Sequence, residues 1–508
     1  MNPPRAQLHE SRATSADAAI GLLTGPDLAP IVDLVCLARG DHYEIHGADG
    51  MVRFRRQGAG ADATYVVVHV AGRNPVGNQA TDRLVGLAAE RALPYPANAV
   101  HAYPYAYDHV AQLFDHPAAP DLVVLHSAAH NWEDQGGHRG EHGSLDIVQA
   151  RAPFILSGAG VARRGLVDDH LRLVDVAPTM CALLGVTPHH DGRHLSQQDG
   201  VARRDVFDGD APRVLIGVLF DGTNANVCYD LAARGALPNV ARLIDTGVAF
   251  AHGAFASLPT VTLANHTTIL TGAHPGHHGI LHNAWFDRRT GEQVITNSQA
   301  TWPNAMDHLH DGVETIHDAI HRTWPDAFTA SVNEPCDQGA NWSTFDYFRR
   351  GEVPPIPESP DGLPHTTERF VRPGKDYSWS SVVDHMGTEQ AVGILSGTYR
   401  DITFEQPRFL WCNFTLTDSA MHEGGPYSAE AEAALRDSDA RLGEILAAVD
   451  RAGLTEHAAF VLVADHGMEE TNPAITGDWG VSLRAAGVTV RDEGYGFLYL
   501  DEPSTGGT

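Results

Sequence analysis

The sequence has almost no lysine and no excess of positive charge. Lys375 is its single lysine, and 35 basic residues stand against 64 acidic ones, which gives a formal net charge of -29. Binding to nucleic acid or to an anionic membrane requires a basic surface. We therefore expect neither a nucleic-acid polymer nor a membrane as the partner of this chain.

Cysteines are also few, and long apolar runs are absent. The five cysteines lie far apart and form no CxxC pair, so a disulfide scaffold or a thiolate zinc site is not expected. The opening MNPPRAQLHESRATSADAA contains no apolar signal-peptide core. No stretch reaches the roughly 18 apolar residues of a membrane span. These absences predict a cytoplasmic protein.

Short apolar runs rich in valine are abundant, in a chain of 508 residues that is 43% hydrophobic. The stretch Ala429–Ala452 places its apolar residues on one face of a helix. Strands that alternate with helices predict an α/β fold with a largely parallel sheet and helices on both faces. The runs that predict buried parallel strands are Tyr65–Val70, Asp121–Leu125, Val214–Phe220, Phe409–Phe414 and Ala459–Val463.

Three of these predicted strands are followed by an aspartate, namely Asp221, Asp418 and Asp465. Functional residues of α/β sheets collect at the carboxyl ends of the strands, although a single aspartate there is often only a turn or a helix cap. His466 directly follows Asp465, and His422 lies one helical turn after Asp418, which is a spacing that metal ligands use. Carboxylate and imidazole ligands without thiolate suit Zn²⁺, with Mn²⁺ or Fe as alternatives.

A third block, SLPTVTLANHTTILTGAHPGHHGILHN, covers residues 257–283. A threonine hydroxyl in such a block becomes a useful nucleophile when a divalent ion lowers its pKa. Asn283 at the end of the block could donate a hydrogen bond to a phosphoryl oxygen. The same residues also fit a helix that begins at a threonine, followed by a turn asparagine.

Five motifs occur in the order found in the nucleotide pyrophosphatase/phosphodiesterase family of the alkaline phosphatase superfamily. The chain resembles this family from Val214 to about Glu470. The resemblance implies an alkaline-phosphatase-like fold and two divalent metal ions, with Zn²⁺ expected. The five motifs are FDG at 220–222, PTVTLANHTTILTG at 259–272, HPGHHGILHN at 274–283, TDSAMHEGG at 417–425 and ADHGM at 464–468.

The resemblance also assigns roles to residues. Thr262 would attack phosphorus, because it directly precedes the LANH turn as the nucleophile of the family does; Thr260 and Thr267 are nearby hydroxyls. Asn283 would stabilise the transition state. One ion would be held by Asp221, Thr262, Asp465 and His466, and the other in part by Asp418 and His422.

One departure from the family is informative. The second ion needs a further histidine in a GxHG motif after DHGM, but no histidine follows His466. The motif stands instead at residues 140–144, GEHGS, with His142, and is followed by segments that resemble the end of such a domain. We therefore expect a circular permutation; the alternative is a separate N-terminal domain with a chance GxHG. The expected divisions are 14–196 as the usual C-terminal part, 197–212 as a linker and 213–508 as the usual N-terminal part.

The segment 284–398 is predicted to be an inserted cap that packs over the metal site and sets substrate choice. Four aromatic residues could stack on a substrate, but core packing is the expected role: Trp285, Trp342, Tyr347 and Trp411. Six histidines near the motifs are not predicted to be ligands: His126, His130, His138, His277, His278 and His282.

The predicted activity is metal-dependent hydrolysis of phosphodiester or nucleotide pyrophosphate bonds in a small molecule. Thr262 would attack in line to give a phosphothreonine, which water at the second ion would hydrolyse. Phosphonoacetate hydrolysis is one alternative, with Arg349, Arg350 or Arg369 gripping the carboxylate. A phosphomonoesterase and a metal-stabilised binding protein without catalysis are the others. The sequence carries no signal for an oligomeric state.

Overall fold

The structure, a computed structural model, describes residues 15–58, 60–131, 137–352, 375–493 and 496–501. Its strands are β1 Val32–Arg39, β2 His42–Gly47, β3 Gly50–Gln57, β4 Thr64–Gly72, β5 Leu122–His126, β6 Gly140–Glu141, β7 Arg151–Ala152, β8 Phe154–Gly158, β9 Gly165–Val167, β10 Leu171–Arg172, β11 Val214–Phe220, β12 Gly247–Phe250, β13 Ala254–Phe255, β14 Ala284–Asp287, β15 Glu292–Ile295, β16 Thr329–Val332, β17 Trp342–Ser343, β18 Thr398–Tyr399, β19 Ile402–Thr403, β20 Phe409–Phe414, β21 Ala458–Val463, β22 Glu469–Glu470, β23 Val490–Glu493 and β24 Phe497–Leu500.

Helices occupy much of the remaining chain. Within the described ranges, no helix combines the length and the apolar composition that crossing a bilayer requires. The helices are α1 at 15–23, α2 Leu87–Arg91, α3 Ala106–Leu113, α4 Ile147–Ala150, α5 Val176–Leu184, α6 Ala225–Ala233, α7 Pro238–Thr246, α8 Thr262–Thr271, α9 Pro275–His278, α10 Ile316–Thr323, α11 Phe345–Arg349, α12 Lys375–Leu395, α13 Leu416–Gly424, α14 Ala429–Arg451 and α15 Trp479–Ala485.

The larger sheet has eight strands in the order β17-β16-β20-β11-β21-β8-β12-β9. The strands β17, β16, β20, β11 and β21 are parallel, and β8 is antiparallel to both of its neighbours. Along β11, Ile216 and Val218 face a core shared with α6, α7, α12 and α14. Leu215 and Leu219 face the opposite core, shared with α5, α8 and α10. A largely parallel sheet between two helical layers confirms the predicted α/β class.

A second sheet, which the sequence did not predict, has seven antiparallel strands in the order β23-β24-β5-β1-β2-β3-β4. One face packs against α3 and against Leu263 of α8. The other face is covered by α1 and α15. The sheet therefore joins strands from both ends of the chain and supports the helix that carries Thr262.

Two strand predictions need correction. The run Tyr65–Val70 lies in β4, the edge strand of the antiparallel sheet, where Val66 and Val68 are exposed. Asp121–Leu125 corresponds to β5, which is buried but antiparallel to β1 and β24. Valine favours a strand because its branched side chain fits a pleated surface, but the neighbouring strands decide its direction and burial. The helix α14 and the strands β11, β20 and β21 agree with prediction.

The segment before β11 is part of the same body as the rest of the chain. Its strands β8 and β9 lie in the larger sheet, and β1 to β5 share the other sheet with β23 and β24. The predicted linker 197–212 packs closely: Val206 is buried, and Phe207 forms a bridge with Val161. The division of 14–196 from 213–508 is therefore a division of sequence, not of separate globules.

Part of the segment 284–398, which was predicted to be a cap, belongs to the larger sheet and its core. Its strands β16 and β17 form one edge of the larger sheet, and α12 contributes to the core beside β20. The physical reason is that these short strands are buried along their whole length and pair with their neighbours in the sheet, so they extend the sheet rather than cover a site. The hairpin β14–β15 lies outside both large sheets. The proline-rich part at 353–364 and Arg369 lie outside the described residues.

Candidate metal centre and nucleophile

The predicted ligands meet at the carboxyl edge of three neighbouring strands, β20, β11 and β21. Asp221 directly follows β11, and Asp465 with His466 follows β21. Asp418 and His422 stand on successive turns of α13, which begins just after β20. Because adjacent parallel strands end at the same edge, residues far apart in sequence converge there.

Gly222 shows how tightly this edge is built. Its backbone has a φ of 61°, in the left-handed region, and its N–H donates to Asp465 Oδ1 at 3.0 Å. A Cβ at this position would lie 2.3 Å from Asp418 Oδ1. Only glycine therefore allows Asp221 and Asp418 to approach one another, which explains the glycine of the FDG motif.

The first group of possible ligands contains Asp221, Asp465 and His466. His466 Nε2 lies 3.1 Å from Asp465 Oδ2 and 3.9 Å from Asp221 Oδ1. These three atoms are buried, and none makes a hydrogen bond within the described part of the chain. Asp418 Oδ1 is buried in the same way, and it can reach the same centre as Asp221 and His466.

The second group contains His142, Asp418 and His422. His142 Nε2 lies 3.1 Å from His422 Nε2 and 3.8 Å from Asp418 Oδ1. His422 Nε2 lies 3.4 Å from the same carboxylate oxygen. His142 is thus adjacent to the pair that the sequence analysis expected it to join, although 280 positions separate it from His422.

The tautomers of the three histidines follow from their backbone contacts. The Nδ1–H of His142 donates to Thr260 O at 2.8 Å, that of His422 to Gly140 O at 2.8 Å, and that of His466 to Gly467 O at 2.9 Å. A carbonyl oxygen can only accept, so each neutral ring carries its proton on Nδ1 and directs the Nε2 lone pair at the carboxylates. Histidines that bind metals are held in this way.

Charge in the group also fits a cation. Burial and the nearby Asp465 raise the pKa of Asp221 well above its usual value. Burial and the neighbouring His466 and His422 hold the pKa of His142 well below its usual value, which keeps the ring neutral. Burial opposes protonation of His466, but Asp465 raises its pKa to about 9. In the absence of a cation, these carboxylates reduce their mutual repulsion by binding protons. Buried nitrogen and oxygen lone pairs that are directed at one another are a suitable set of ligands for a divalent metal.

Thr262 is the first residue of α8 and is half-buried. The next residue, Leu263, donates its N–H to Asn283 Oδ1 at 3.2 Å, which fixes the Asn283 side chain with its NH₂ group as the remaining donor. Thr260 and Thr267 are engaged elsewhere. The Thr260 hydroxyl donates to Ser144 O and accepts from the Gly143 N–H, each at 2.9 Å.

Thr267 is fully buried within α8, and its hydroxyl donates to Leu263 O at 2.8 Å. Neither Thr260 nor Thr267 therefore offers a free hydroxyl to a substrate. Of Thr260, Thr262 and Thr267, Thr262 alone lines the cavities at the strand ends. Thr262 also stands at the N-terminus of α8, where the positive end of the helix dipole favours an anion.

Two cavities adjoin Thr262. The smaller, of about 200 Å³, contains Asn283, Asp418 and three of the histidines near the motifs, His126, His138 and His282. The larger, of about 320 Å³, extends from Asp221 and Thr262 to a group of mostly apolar side chains. That group consists of Trp302, Phe345, Phe348, Trp379, Val383 and Met386. In neither cavity does a described arginine or lysine form part of the wall.

The other histidines and arginines singled out in the sequence lie elsewhere. Arg349 is paired with Asp337 and Asp346, and Arg350 with Glu352. The remaining histidines make local contacts: His130 Nε2 lies 3.0 Å from Gly477 O, His277 bridges Asp115 and Asp199, and His278 Nε2 lies 3.0 Å from Ala264 O. Trp285, Trp342 and Trp411 are buried and Tyr347 packs beside the core, so core packing is their role.

Sequence reasoning missed a buried pair beside the centre, His266 and Glu334. His266 Nδ1 lies 2.8 Å from Glu334 Oε2, and its Nε2 lies 3.6 Å from oxygens of both Asp221 and Asp465. A signal for His266 was present, because it follows Thr262 by four residues and so lies on the same face of α8. Nothing in the local sequence marks Glu334, which Trp411 also contacts through its indole N–H.

Carboxylates and histidines that converge at the carboxyl edge of a largely parallel sheet, beside a threonine at the start of a helix, define an alkaline-phosphatase-like α/β protein. The chain belongs to the type I phosphodiesterase / nucleotide pyrophosphatase family, whose sequence model matches residues 215–503, more than half of its length. This agrees with the family that the motifs indicated.

The individual relatives have low sequence identity to this chain and match only part of it. An uncharacterized pyrophosphatase/phosphodiesterase of Schizosaccharomyces pombe is 25% identical over 267 residues, which cover 51% of this chain and 45% of that protein. Ectonucleotide pyrophosphatase/phosphodiesterase family member 1 of Mus musculus is 24% identical over 46% of this chain and 22% of its own length. The solved phosphonoacetate hydrolase of Sinorhizobium meliloti is 23% identical, over 50% of this chain and 57% of that one, with a TM-score of 0.33. The chain therefore spans less than two thirds of each.

Proposed function

We propose that this protein hydrolyses phosphodiester or nucleotide pyrophosphate bonds through a phosphothreonine on Thr262, with two divalent metal ions, expected to be Zn²⁺. The observation that carries the proposal is the common tautomer of His142, His422 and His466, whose Nε2 lone pairs all face buried carboxylate oxygens. Three imidazoles and three carboxylates beside Thr262 are a set of ligands that would suit two divalent ions.

The donor set divides naturally into two centres. One would be held by Asp221, Asp465, His466 and Thr262, and the other by Asp418, His422 and His142. When bound, the two ions would lower the pKa of a threonine hydroxyl and neutralise charge on the phosphoryl oxygens. The residue Asp418 lies close to both groups of ligands, so the two groups adjoin one another.

The residues of the chain have separate tasks in the proposed reaction. Thr262 Oγ1 attacks phosphorus in line, and the leaving group departs on the opposite side. The Asn283 NH₂ group donates to a phosphoryl oxygen, with its orientation set by the Leu263 N–H. Water then breaks the Thr262–phosphorus bond with a second inversion, so the phosphorus regains its original configuration.

The walls of the two cavities favour a diester over a monoester. A monoester carries an additional negative charge, which phosphatases neutralise with a cation. In the described residues the cavities have no arginine or lysine, whereas the larger one has an apolar end that would accept an uncharged organic group. The same absence weighs against phosphonoacetate, whose carboxylate needs a cationic partner.

We further infer that the chain is circularly permuted, with 14–196 equivalent to the usual C-terminal part of the domain. Support comes from the position of His142 beside Asp418 and His422, since no histidine follows His466. The strands β8 and β9 of that segment also extend the sheet that contains β11. A reordered chain, in which 213–508 precedes 14–196, should fold and bind the same metals.

The decisive experiment compares four substrates with added Zn²⁺: an aryl phosphodiester, an aryl phosphomonoester, a dinucleotide polyphosphate and phosphonoacetate. We expect the diester or the dinucleotide to give the largest kcat/KM. Rapid quenching followed by mass spectrometry should find phosphate on the peptide that contains Thr262. Preference for the monoester or for phosphonoacetate would refute the substrate assignment, and a modification on another residue would refute the mechanism.

A further inference from the structure

A second group of buried ionisable side chains lies apart from the residues described above. His101, Asp146 and Glu469, here called the buried triad, are 2%, 2% and 4% exposed. Asp146 precedes α4 and Glu469 begins β22. The proposed reaction uses none of the three.

The geometry of the triad leaves polar atoms without partners. His101 Nε2 lies 3.6 Å from Asp146 Oδ1 and 3.5 Å from Glu469 Oε1. Both ring nitrogens of His101 and Asp146 Oδ2 are buried and make no hydrogen bond within the described residues. One ligand atom from each side chain lies within 4.8 Å of the others. Leaving three such atoms unpaired in the interior is costly unless another group binds them.

Two carboxylate oxygens of the triad, one from Asp146 and one from Glu469, accept hydrogen bonds that fix them in place. Asp146 Oδ1 caps α4 by accepting the N–H groups of Val148 and Gln149, each at 3.0 Å. Glu469 Oε2 accepts from the Gln149 side chain at 3.1 Å. These contacts hold the two carboxylates in position. Glu469 directs its other oxygen, Oε1, towards His101, whereas in Asp146 the capping oxygen Oδ1 is also the one near His101.

The surroundings carry a surplus of negative charge. Asp33 lies next to the triad, held by the Tyr103 hydroxyl at 2.8 Å. Burial and the nearby Glu469 raise the pKa of Asp146 to about 7, and burial raises that of Asp33 to about 6. Asp146 and Glu469 thus face one imidazole, and Asp33 adds a third negative charge nearby. A site of this kind attracts a divalent cation for the same reason that it attracts protons.

A cation also has a path to the triad. A cavity of about 290 Å³ contains Asp33, His101 and Asp146 in its wall and extends to Asn98 and Arg73. The Arg73 guanidinium is bonded to Asn98 and Asp49, both at the outer side of the group. The cavity therefore joins the buried carboxylates to a polar surface.

We propose that the buried triad binds one divalent cation, such as Mn²⁺ or Zn²⁺, through His101, Asp146 and Glu469. One imidazole with carboxylates is a donor set that suits these metals. The cation stabilises the protein rather than taking part in the reaction. It joins the loop after His142 to the segment after His466, because Asp146 and Glu469 belong to those two stretches.

The test is a count of metal ions in the full-length protein. Metal-free protein is titrated with Mn²⁺, and bound metal is measured by mass spectrometry and electron paramagnetic resonance. Two shape-conserving variants, Asp146→Asn and Glu469→Gln, keep the capping and Gln149 contacts but remove one charge each. We expect each to bind one equivalent fewer than wild type. Asp439→Asn is the matched control, because Asp439 is 2% exposed and caps α7 in another part of the protein.

The same titration in a variant that lacks a ligand of the second catalytic centre separates the buried triad from that centre. In His422→Ala, Mn²⁺ should still raise the melting temperature, and the further change Glu469→Gln should make that rise smaller, because only the centre at Asp221, Asp465 and His466 then remains. The proposal does not rest on the proposed function, since these readouts require no activity. Equal stoichiometry in wild type and in both triad variants overturns it, as does an unchanged rise in the double variant. If a triad variant fails to fold, a smaller Mn²⁺-induced rise in melting temperature in His101→Gln than in wild type becomes the deciding measurement.

Discussion

Replacing Thr262 by alanine should separate catalysis from folding. Thr262 is the half-buried first residue of α8, and its helix is anchored by Leu263 and by buried residues further along. Substitution of a side chain in such a position changes the free energy of unfolding by about 0.5 kcal/mol. Six other side chains remain for the metals, so we expect Thr262→Ala to fold and to keep at least one ion.

The effect on turnover should be far larger. Loss of a nucleophile removes covalent catalysis, which costs roughly 10³- to 10⁶-fold in kcat, or about 4–8 kcal/mol at 1.36 kcal/mol per tenfold. The assay is the steady-state rate on an aryl phosphodiester, with metal content and thermal unfolding measured on the same samples. Thr262→Ser should restore part of the rate, because serine offers the same hydroxyl.

The choice of control follows from hydrogen bonds. Thr267→Ala removes a buried hydroxyl whose partner is Leu263 O within the same helix, so it should retain most activity. Thr260→Ala is a poorer control, since it leaves the Gly143 N–H and Ser144 O unpaired beside His142, at a cost of about 1–3 kcal/mol. Near-normal diesterase activity in Thr262→Ala would mean that water attacks phosphorus directly, and the phosphothreonine mechanism would then be wrong.

Three further predictions concern the metals and the cavity. His142→Ala should lose one of two catalytic ions and nearly all turnover, as measured by elemental analysis; retention of both ions would contradict its role as a ligand. In metal-free protein, protonated His466 stabilises the fold below its unfolded pKa of about 6.5, and this contribution is lost as the pH rises through about 9. Asp221 has a raised pKa and repels Asp465 only once it is ionised. Both effects make the metal-free protein less stable at high pH, so added Zn²⁺ should raise the melting temperature more at pH 9 than at pH 6. Trp379→Ala, which removes an aromatic wall of the larger cavity, should lower kcat/KM for bulky diesters roughly tenfold while leaving metal content unchanged; an equal loss for a small diester would show that the cavity does not bind the organic group.

The parts of the site that could be predicted are those encoded by local sequence. Asp221, Asp465 and His466 follow buried apolar strands, and a parallel sheet brings such strand ends together whatever the loops between them do. Asp418 and His422 were visible because helical spacing alone puts them on one side of α13. His142 could be predicted because the motif that should follow His466 is missing there and occurs earlier in the chain.

The parts that escaped prediction depend on contacts between distant segments. Glu334 becomes a partner of His266 only because β16 lies beside β20 in the larger sheet. The exposure of Val66 and Val68 follows from the position of β4 at the end of its sheet, which no property of the valines themselves specifies. For the same reason the antiparallel sheet could not be inferred, since it pairs β5 with β24 across most of the chain.

The interleaving of early and late strands has a consequence for synthesis on the ribosome. β8 is paired on one side with β21, and about 300 residues separate them in the chain. At a synthesis rate of about 5–20 residues per second, roughly 15–60 s pass between the synthesis of β8 and that of β21. The interval between the synthesis of β5 and that of its partner β24 is longer still. During that interval apolar strand edges are open to other nascent chains, so the yield of folded protein should depend on temperature and on chaperone supply more than on the stability of the finished molecule.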